Sequence, residues 1–390
     1  MKRFAAVLAA LAMAASAAPG SSAPDPARQT QDLSSGKPLL EIVFVLDTTG
    51  SMGGLIEGAR QRIWGIINDV QKGRQGATVK VGLVAYRDRG DVYVTKVLPL
   101  TTDLDKVFAT LMDYKADGGG DRPEDVRQAL YDGVHKSGWS QPGQNTAQIM
   151  FLVGDSPPHD DYTNEPDTVK TADEAAKTGI IINTIECGAA PDTKASWQAI
   201  STRTAGDYFM IAQDGGVKEI PTPFDKPLAA LGTKLGTTYM AYGGGGGVAG
   251  EDFRGHAAEL HFMTESSVVT AAPAPVAADR AYNKALNGFA YKDDLYQSLE
   301  NGTVTLKTLK PADLPDDLRK LAPAAREKLI KSKLAERKQI RETIVALAKQ
   351  RDAYLVKQRE LQAANHKDAS FDLAVLASLK KQVARRHIRI

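Results

Sequence analysis

Short apolar runs alternate with longer amphipathic stretches over residues 39–240. Continuous apolar runs at 40–46, 148–153 and 180–186 predict strands buried on both faces of a sheet. The stretch from Ser51 to Lys72 predicts a helix, because its apolar residues recur every three to four positions on one face. Strands that alternate with helices in this way are typical of a mostly parallel sheet.

Further elements complete the same pattern. Residues 77–86 and 93–100 predict a hairpin, which would place one antiparallel strand at the sheet edge. Helices are predicted at about 103–112, 123–134, 167–178, 192–205 and 227–238, and a last short strand at 208–212. We therefore expect the α/β class, with a doubly wound, Rossmann-like sheet. In such sheets ligands bind at the carboxyl ends of the strands.

The C-terminal part, 281–390, has a helical pattern. A long helix is predicted at about 323–364, with the apolar residues Ile340, Leu347, Tyr354 and Leu361 at seven-residue spacing. The companion positions hold Arg337, Arg351 and Gln358, which favours a helix packed on one partner over a two-stranded coiled coil. A final helix at 371–385 is expected to fold back on it as an antiparallel hairpin.

Two segments predict connections or processing. Residues 241–280 contain a five-glycine run and an Ala/Pro/Val stretch, which are typical of a linker. Residues 1–17 have a basic start, a short apolar run and small residues at the end, and predict a signal peptide. Residues 18–38 then read as a flexible leader. We expect a periplasmic or secreted protein.

The single cysteine, Cys187, excludes an internal disulfide and is expected to be buried at a strand end.

Charge is unevenly distributed in this chain of 390 residues. Residues 317–390 hold 19 Lys or Arg and 8 Asp or Glu, although the whole chain has a formal net charge of only +2. This basic end predicts contact with an anionic surface or with the protein's own acidic part. No nucleic-acid partner is expected.

Oxygen-bearing residues follow the predicted strands. Asp47, Thr49 and Ser51 come directly after the first apolar run, and Asp155 follows the run at 148–153. Asp121 and Glu124 lie in a glycine-rich loop between them. Carboxylates and hydroxyls are ligands for the hard cations Mg²⁺, Mn²⁺ and Ca²⁺. Alternatively, Asp47 ends a strand and Ser51 caps a helix.

These three loops resemble those of the von Willebrand factor A (VWA) family. The segment Asp47–Ser51 resembles the metal-ion-dependent adhesion site, with its Asp-x-Ser/Thr-x-Ser signature. Residues 117–125 resemble the second loop of that site, and 149–159 resemble the third. The resemblance implies a VWA domain over about 39–240.

The resemblance also implies roles for the loop residues. Thr49 and Ser51 would offer hydroxyl oxygens to the cation, whereas Asp47 and Asp155 would act largely through water. Glu124 is the expected ligand of the second loop, since this loop resembles that of integrin β subunits. Asp121 is the competing choice, or it holds a neighbouring second ion.

The expected function is binding and not catalysis. In the VWA family the cation keeps one position for an acidic residue of a protein partner. A scaffold protein whose basic helices make the main contact is the alternative. A metal-assisted hydrolase is least favoured, because His159 is the only candidate for a catalytic base near the predicted ligands.

Overall fold

A six-stranded sheet forms the framework of residues 39–211. The computed structural model describes residues 38–72, 77–162, 164, 166–213, 220–363 and 371–386. The strands are β1 (Leu39–Asp47), β2 (Thr78–Tyr86), β3 (Thr95–Thr101), β4 (Thr146–Gly154), β5 (Ile181–Cys187) and β6 (Tyr208–Ile211). Their order in the sheet is β3-β2-β1-β4-β5-β6. All neighbours pair in parallel except β2 and β3, so the predicted antiparallel edge strand is confirmed.

Helices cover both faces of this sheet. The helices of this part are α1 (Gly53–Gln71), α2 (Leu104–Asp113), α3 (Val126–His135), α4 (Thr168–Thr178) and α5 (Pro191–Arg203). Apolar residues of α1 and α2 join one buried cluster with the sheet, and those of α3, α4 and α5 join a second cluster on the opposite face. The strands are buried almost throughout, which explains their continuous apolar sequences. The predicted doubly wound α/β class is confirmed.

The strand order of the sheet reverses between β1 and β4, which is the topological switch point. The chain proceeds from β1 to β2 and β3 on one side, then returns to add β4, β5 and β6 on the other. Leu46 of β1 pairs with Val153 of β4, so Asp47 and Asp155 both leave the sheet at the same edge. Ligands of doubly wound sheets bind at such a switch point. This edge is therefore where the candidate site lies.

The remaining described helices follow the sheet strands in sequence. They are α6 (Asp225–Gly236), α7 (Gly247–Ala271), α8 (Ala274–Leu286), α9 (Leu295–Glu300), α10 (Asp316–Arg319), α11 (Pro323–Ala363) and α12 (Phe371–Ala384). The long helix predicted at 323–364 is present as α11. Ile340, Ile344 and Ala348 of α11 share one buried cluster with α6 and α8, and Ile330 of α11 shares a second cluster with α9 and α10. The helix thus packs through an apolar face, as its amphipathic pattern predicts, but on more than one neighbouring surface.

The segment 241–280 differs from the predicted linker. Most of it is helical, because α7 and the start of α8 lie within it. The glycine run ends where α7 begins, and the Ala, Glu, Arg, Leu and Met residues interspersed after it favour a helix. Pro275 occupies the first turn of α8, where a missing backbone N–H costs little. Composition alone therefore overestimated the irregular structure here.

Helix α12 packs differently from the predicted hairpin with α11. Val375, Leu379 and Val383 are fully buried in the cluster that α1 and α2 share with the sheet. Gln382 exchanges two hydrogen bonds with Asn183 of β5, at 3.0 and 2.7 Å. The physical reason is that apolar residues of β5 and β6 on the α1 side of the sheet must be buried, and the apolar residues of α12 pack on them. The connection 364–370 lies outside the described residues.

Other predictions have mixed outcomes. Cys187 is buried at the end of β5, as expected, and burial raises the pKa of its thiol. Residues 1–37 lie outside the described part of the chain, so the signal peptide stays a prediction. Among the described helices, none combines the length and the apolar character that crossing a membrane requires.

Candidate functional site

The first loop folds its hydroxyl groups towards Asp47. The backbone N–H and the hydroxyl of Thr49 both donate to Asp47 Oδ1, at 2.8 and 2.7 Å. The Oγ atoms of Thr49 and Ser51 lie 3.4 Å apart. Asp47 and Thr49 are buried, whereas Ser51 is exposed in a short 3₁₀ turn that leads into α1. The side-chain oxygens of this loop therefore extend from buried Asp47 and Thr49 to exposed Ser51.

The second loop brings Glu124 against the first. Gly50 N–H donates to the carbonyl of Gly118 at 3.1 Å, which joins the two loops directly. Gly119 has a φ of +97°, and a Cβ there would lie 2.9 Å from Glu124 Oε1 and 3.0 Å from Thr49 Cβ. Only glycine fits this close approach. The glycine-rich sequence thus allows the Glu124 carboxylate to reach Thr49.

Three buried oxygens at this edge have no hydrogen-bond partner among the residues that the structure describes. They are Asp47 Oδ2, Glu124 Oε2 and the hydroxyl of Tyr86. A Cβ at Gly154 would lie 2.3 Å from the Tyr86 hydroxyl and 3.1 Å from Asp47 Oδ2, so Gly154 leaves room for both. Buried polar atoms without partners are costly and are uncommon in folded proteins. Their concentration here indicates a site that takes up a further group.

The carboxylates of Asp47 and Glu124 resist ionisation in the metal-free protein. Burial, opposed by hydrogen bonds from Thr49 and reinforced by Asp155, raises the pKa of Asp47 to about 7. Burial and the charges of Asp47, Asp88 and Asp155 raise the pKa of Glu124 to about 9. Like charges that share a poorly solvated site disfavour each other's ionised form. A bound cation would relieve both effects.

The third loop holds Asp155 at the rim of the site. The hydroxyl of Ser156 donates to Asp155 Oδ1 at 2.9 Å, and the side-chain amide of Gln213 donates to Oδ2 at 2.6 Å. Asp155 is half-buried, so water can reach it. These contacts orient the carboxylate without using all of its acceptor capacity.

The structure separates the two acidic candidates of the second loop. Glu124 is buried beside Thr49, whereas Asp121 is exposed and lies near Asp88 and His159. The sequence reasoning missed Asp88, Tyr86 and Gln213. A signal existed for Asp88, because it closely follows the end of β2, as Asp47 follows β1.

Five of the six predicted site residues therefore meet at the switch point, and the sixth lies in a neighbouring cluster. The donor set of Asp47, Thr49, Ser51, Glu124 and Asp155 contains only oxygen atoms, which fits a hard divalent cation. The unpartnered oxygens of Asp47 and Glu124 fit it as well, since a cation would satisfy both. The arrangement can hold an ion and leave its outer side open near exposed Ser51.

Comparison with known proteins gives matches that each cover part of the chain. A protein of Acanthamoeba polyphaga mimivirus, described as ariadne-like RING finger protein R811, is 25% identical over 187 residues, or 43% of this chain. This chain spans only 18% of the length of that curated relative.

Three solved structures are also similar, each over slightly less than half of this chain. Proximal thread matrix protein 1 from the mussel byssus matches with a TM-score of 0.34 and 14% identity, over 46% of this chain and 43% of its own. BatB from Bacteroides thetaiotaomicron matches with a TM-score of 0.33 and 16% identity, over 45% of this chain and 90% of its own. The VWA domain of SpRpn10 matches with a TM-score of 0.33 and 14% identity, over 45% of this chain and 89% of its own.

The match to a protein family is more direct. Residues 41–222 match the family model described as von Willebrand factor A domain. This range begins in β1 and ends after β6, so it contains the sheet and all three loops of the candidate site. Residues 41–222 of this chain form a von Willebrand factor A domain.

Proposed function

We propose that this VWA domain binds a divalent cation at the switch point and uses it to bind an acidic residue of a protein partner. VWA domains commonly mediate protein interaction. The observation that carries the proposal is the pair of buried, unpartnered carboxylate oxygens on Asp47 and Glu124. Mg²⁺ is the proposed ion, and Mn²⁺ or Ca²⁺ would suit the same oxygens.

The proposed roles follow from the depth of each residue. Thr49 and Ser51 would supply hydroxyl oxygens, and Glu124 would supply a carboxylate oxygen from the second loop. Asp47 and Asp155 would act mainly through water or by orienting the ligands. When bound, the cation supplies a positive charge that a partner's carboxylate can approach from the exposed side near Ser51.

A binding role is favoured over a hydrolytic one. His159 Nδ1 lies 2.8 Å from Asp161 Oδ1, and its ring belongs to the cluster with Asp88 and Asp121. Its contacts therefore link it to those carboxylates and leave it without a described contact to Asp47 or Thr49. We further propose that the domain works in an exported protein, on the strength of the signal-peptide pattern at 1–17.

The experiment is cation-dependent capture of a partner by the full-length protein. Immobilised wild type should retain a specific partner in Mg²⁺ and release it on addition of a chelator, and Asp47→Ala should retain none. Asp113→Asn is the matched control, because Asp113 is an exposed acidic residue at the end of α2. After the partner is identified, neutralising its contacting Asp or Glu should abolish capture. Equal capture by wild type in chelator, or by Asp47→Ala, would refute the proposal.

A further inference from the structure

A second group of side chains of the types that bind metals lies beside the cation site proposed at Asp47, which we call the hard-cation site. Asp88 follows β2, Asp121 belongs to the second loop and His159 to the third. One ligand atom from each of these residues lies within 4.8 Å of the other two. Asp88 and His159 are buried, with 4% and 6% of their surface exposed, and Asp121 is exposed. We call this group the Asp88 cluster.

The imidazole of His159 has one nitrogen fixed and the other directed into the cluster. Nδ1 lies 2.8 Å from Asp161 Oδ1, and an ionised carboxylate can only accept, so Nδ1 carries the proton that is donated. In the neutral ring this leaves the lone pair on Nε2. Nε2 is buried, has no hydrogen-bond partner in the described part of the chain and lies 3.4 Å from Asp88 Oδ2. A carboxylate on the opposite nitrogen is the usual support of a metal-binding histidine.

Tyr162 holds both buried members of the cluster in place. Its hydroxyl donates to the two carboxylate oxygens of Asp88, at 2.9 and 3.0 Å. Its ring stacks on the ring of His159, with centroids 4.0 Å apart and an angle of 7° between the planes. The side chains are therefore positioned by neighbours that would not themselves be ligands. Such outer support is what orients ligands at metal sites.

The geometry fits a borderline-soft metal ion. Imidazole nitrogen suits Zn²⁺ better than Mg²⁺ or Ca²⁺, which prefer oxygen alone. Ligands about 2.1 Å from a tetrahedral Zn²⁺ lie about 3.4 Å from one another. The separation of His159 Nε2 and Asp88 Oδ2 already has this value. Asp121 is exposed on a loop, so its carboxylate can complete the set by a small side-chain rotation.

We propose that Asp88, Asp121 and His159 bind Zn²⁺ through two carboxylate oxygens and one imidazole nitrogen, at a site separate from the hard-cation site of Asp47. Water would take the fourth position, since three protein ligands leave it open. The proposal does not depend on the function proposed for the Asp47 site, because the two ligand sets share no residue. Its failure and the failure of the other site can therefore be observed separately.

Zn²⁺ and Mg²⁺ titrations of metal-stripped, full-length protein test this proposal. Zn²⁺ should bind wild type and Asp47→Ala with the same affinity, whereas His159→Gln and Asp121→Asn should each weaken Zn²⁺ binding at least about tenfold. His135→Gln is the matched control, because His135 is an exposed histidine paired with Glu174 on α4. Co²⁺ used in place of Zn²⁺ should give the absorption bands of a site with a nitrogen ligand, and these bands should be lost in His159→Gln.

Several outcomes would overturn the proposal. If the wild type binds no Zn²⁺, the cluster is only an ion-paired network around a protonated His159. The same conclusion follows if His159→Gln and Asp121→Asn bind Zn²⁺ as tightly as the wild type does. Loss of Zn²⁺ binding in Asp47→Ala would assign the ion to the other site. Since Asp121 is exposed, its variant should fold even if His159→Gln does not, and a circular dichroism spectrum checks both.

Discussion

Glu124 and Asp121 lie three positions apart in one loop but in different environments. Glu124 is 3% exposed, and none of the described residues is a hydrogen-bond partner of its Oε2 atom. Asp121 is exposed and belongs to the Asp88 cluster. The difference arises because the loop turns through three glycines with positive φ before it reaches Glu124. Sequence spacing alone left the choice between these residues open.

This separation predicts the effect of neutralising each residue. Glu124→Gln should weaken Mg²⁺ binding at least about tenfold, because the proposed direct ligand would lose its charge. Asp121→Asn should change it by less than about twofold, since exposed charges act weakly through water. Calorimetric titration of the two variants measures this order. The reverse order would transfer the ligand role to Asp121, and equal effects would favour two adjacent ions.

The raised pKa values of Asp47 and Glu124 predict how pH acts on the metal-free protein. Both values, about 7 and about 9, exceed those of the unfolded chain, 3.8 and 4.5. Between the unfolded and folded pKa values, the folded state retains protons that the unfolded state loses. The free energy of unfolding should therefore fall as the pH rises from about 3.8 to about 9. Mg²⁺ requires the ionised carboxylates, so its affinity should rise over the same range.

Thermal unfolding between pH 5 and pH 9 measures this effect. The unfolding midpoint in chelator should decrease with pH, and saturating Mg²⁺ should reduce the decrease. Asp47→Ala should show a shallower decrease in chelator, because one of the two responsible groups is gone. A midpoint in chelator that is flat or rises across the window would contradict the assignment of these groups.

At the scale of elements, helix α12 completes the α/β domain from the far end of the chain. Its buried residues Val375, Leu379 and Val383 recur every four positions and contact the same cluster as α1. Ser378 also donates to the carboxylate of Asp207, close to the start of β6. The domain fold thus depends on residues well beyond the matched range 41–222.

Truncation of one side chain tests this dependence. Leu379→Ala should lower the free energy of unfolding by about 2–5 kcal/mol, because Leu379 has no exposed surface and its loss leaves a cavity. Lys380→Ala, at an exposed neighbouring position, should change it by less than about 0.5 kcal/mol. Denaturant titration gives both values. Equal, small effects would mean that α12 does not support the domain.

The elements could be predicted from sequence to the extent that each leaves a local signal. Continuous apolar runs identified β1, β4 and β5, and the residues at their ends identified Asp47 and Asp155. The position of α12 could not be predicted in this way, since a periodic apolar face does not reveal which surface it covers. The meeting of Asp88 with His159 was also hidden, because two loops that are distant in sequence bring them together.

At the scale of the whole molecule, part of the charge asymmetry is neutralised internally. Arg351 of α11 contacts Asp225 and Asp279 at 2.6 Å each, and Arg337 forms a fully buried ion pair with Asp294. These arginines occupy the positions that make the coiled-coil seam poor. They bind acidic residues of the protein itself, so they are not available to an external anionic partner. The lysines on the outer face of α11 remain exposed.

The exposed lysines are the residues through which the basic helices are expected to contact anionic surfaces. Full-length protein should adhere to anionic lipid vesicles at low salt, and adhesion should fall at 0.1 M salt, where screening acts within about 10 Å. Replacing Lys338, Lys349 and Lys357 with Glu reverses three charges and should abolish adhesion. Mg²⁺ binding should not change, because all three lysines are exposed on α11. Vesicle sedimentation measures this. Unchanged adhesion, or none by wild type at any salt, would limit the basic helices to packing and solvation.

The central claim is that the switch point of the sheet binds a divalent cation, and Asp47→Ala tests it most directly. Asp47 lies at the end of β1 and has one buried oxygen without a partner among the described residues, so its truncation removes a carboxylate of the proposed site without opening a large core cavity. Calorimetric titration with Mg²⁺ should show binding to wild type and none to Asp47→Ala, while the variant keeps a cooperative unfolding transition. An unchanged Mg²⁺ affinity in folded Asp47→Ala would contradict the account.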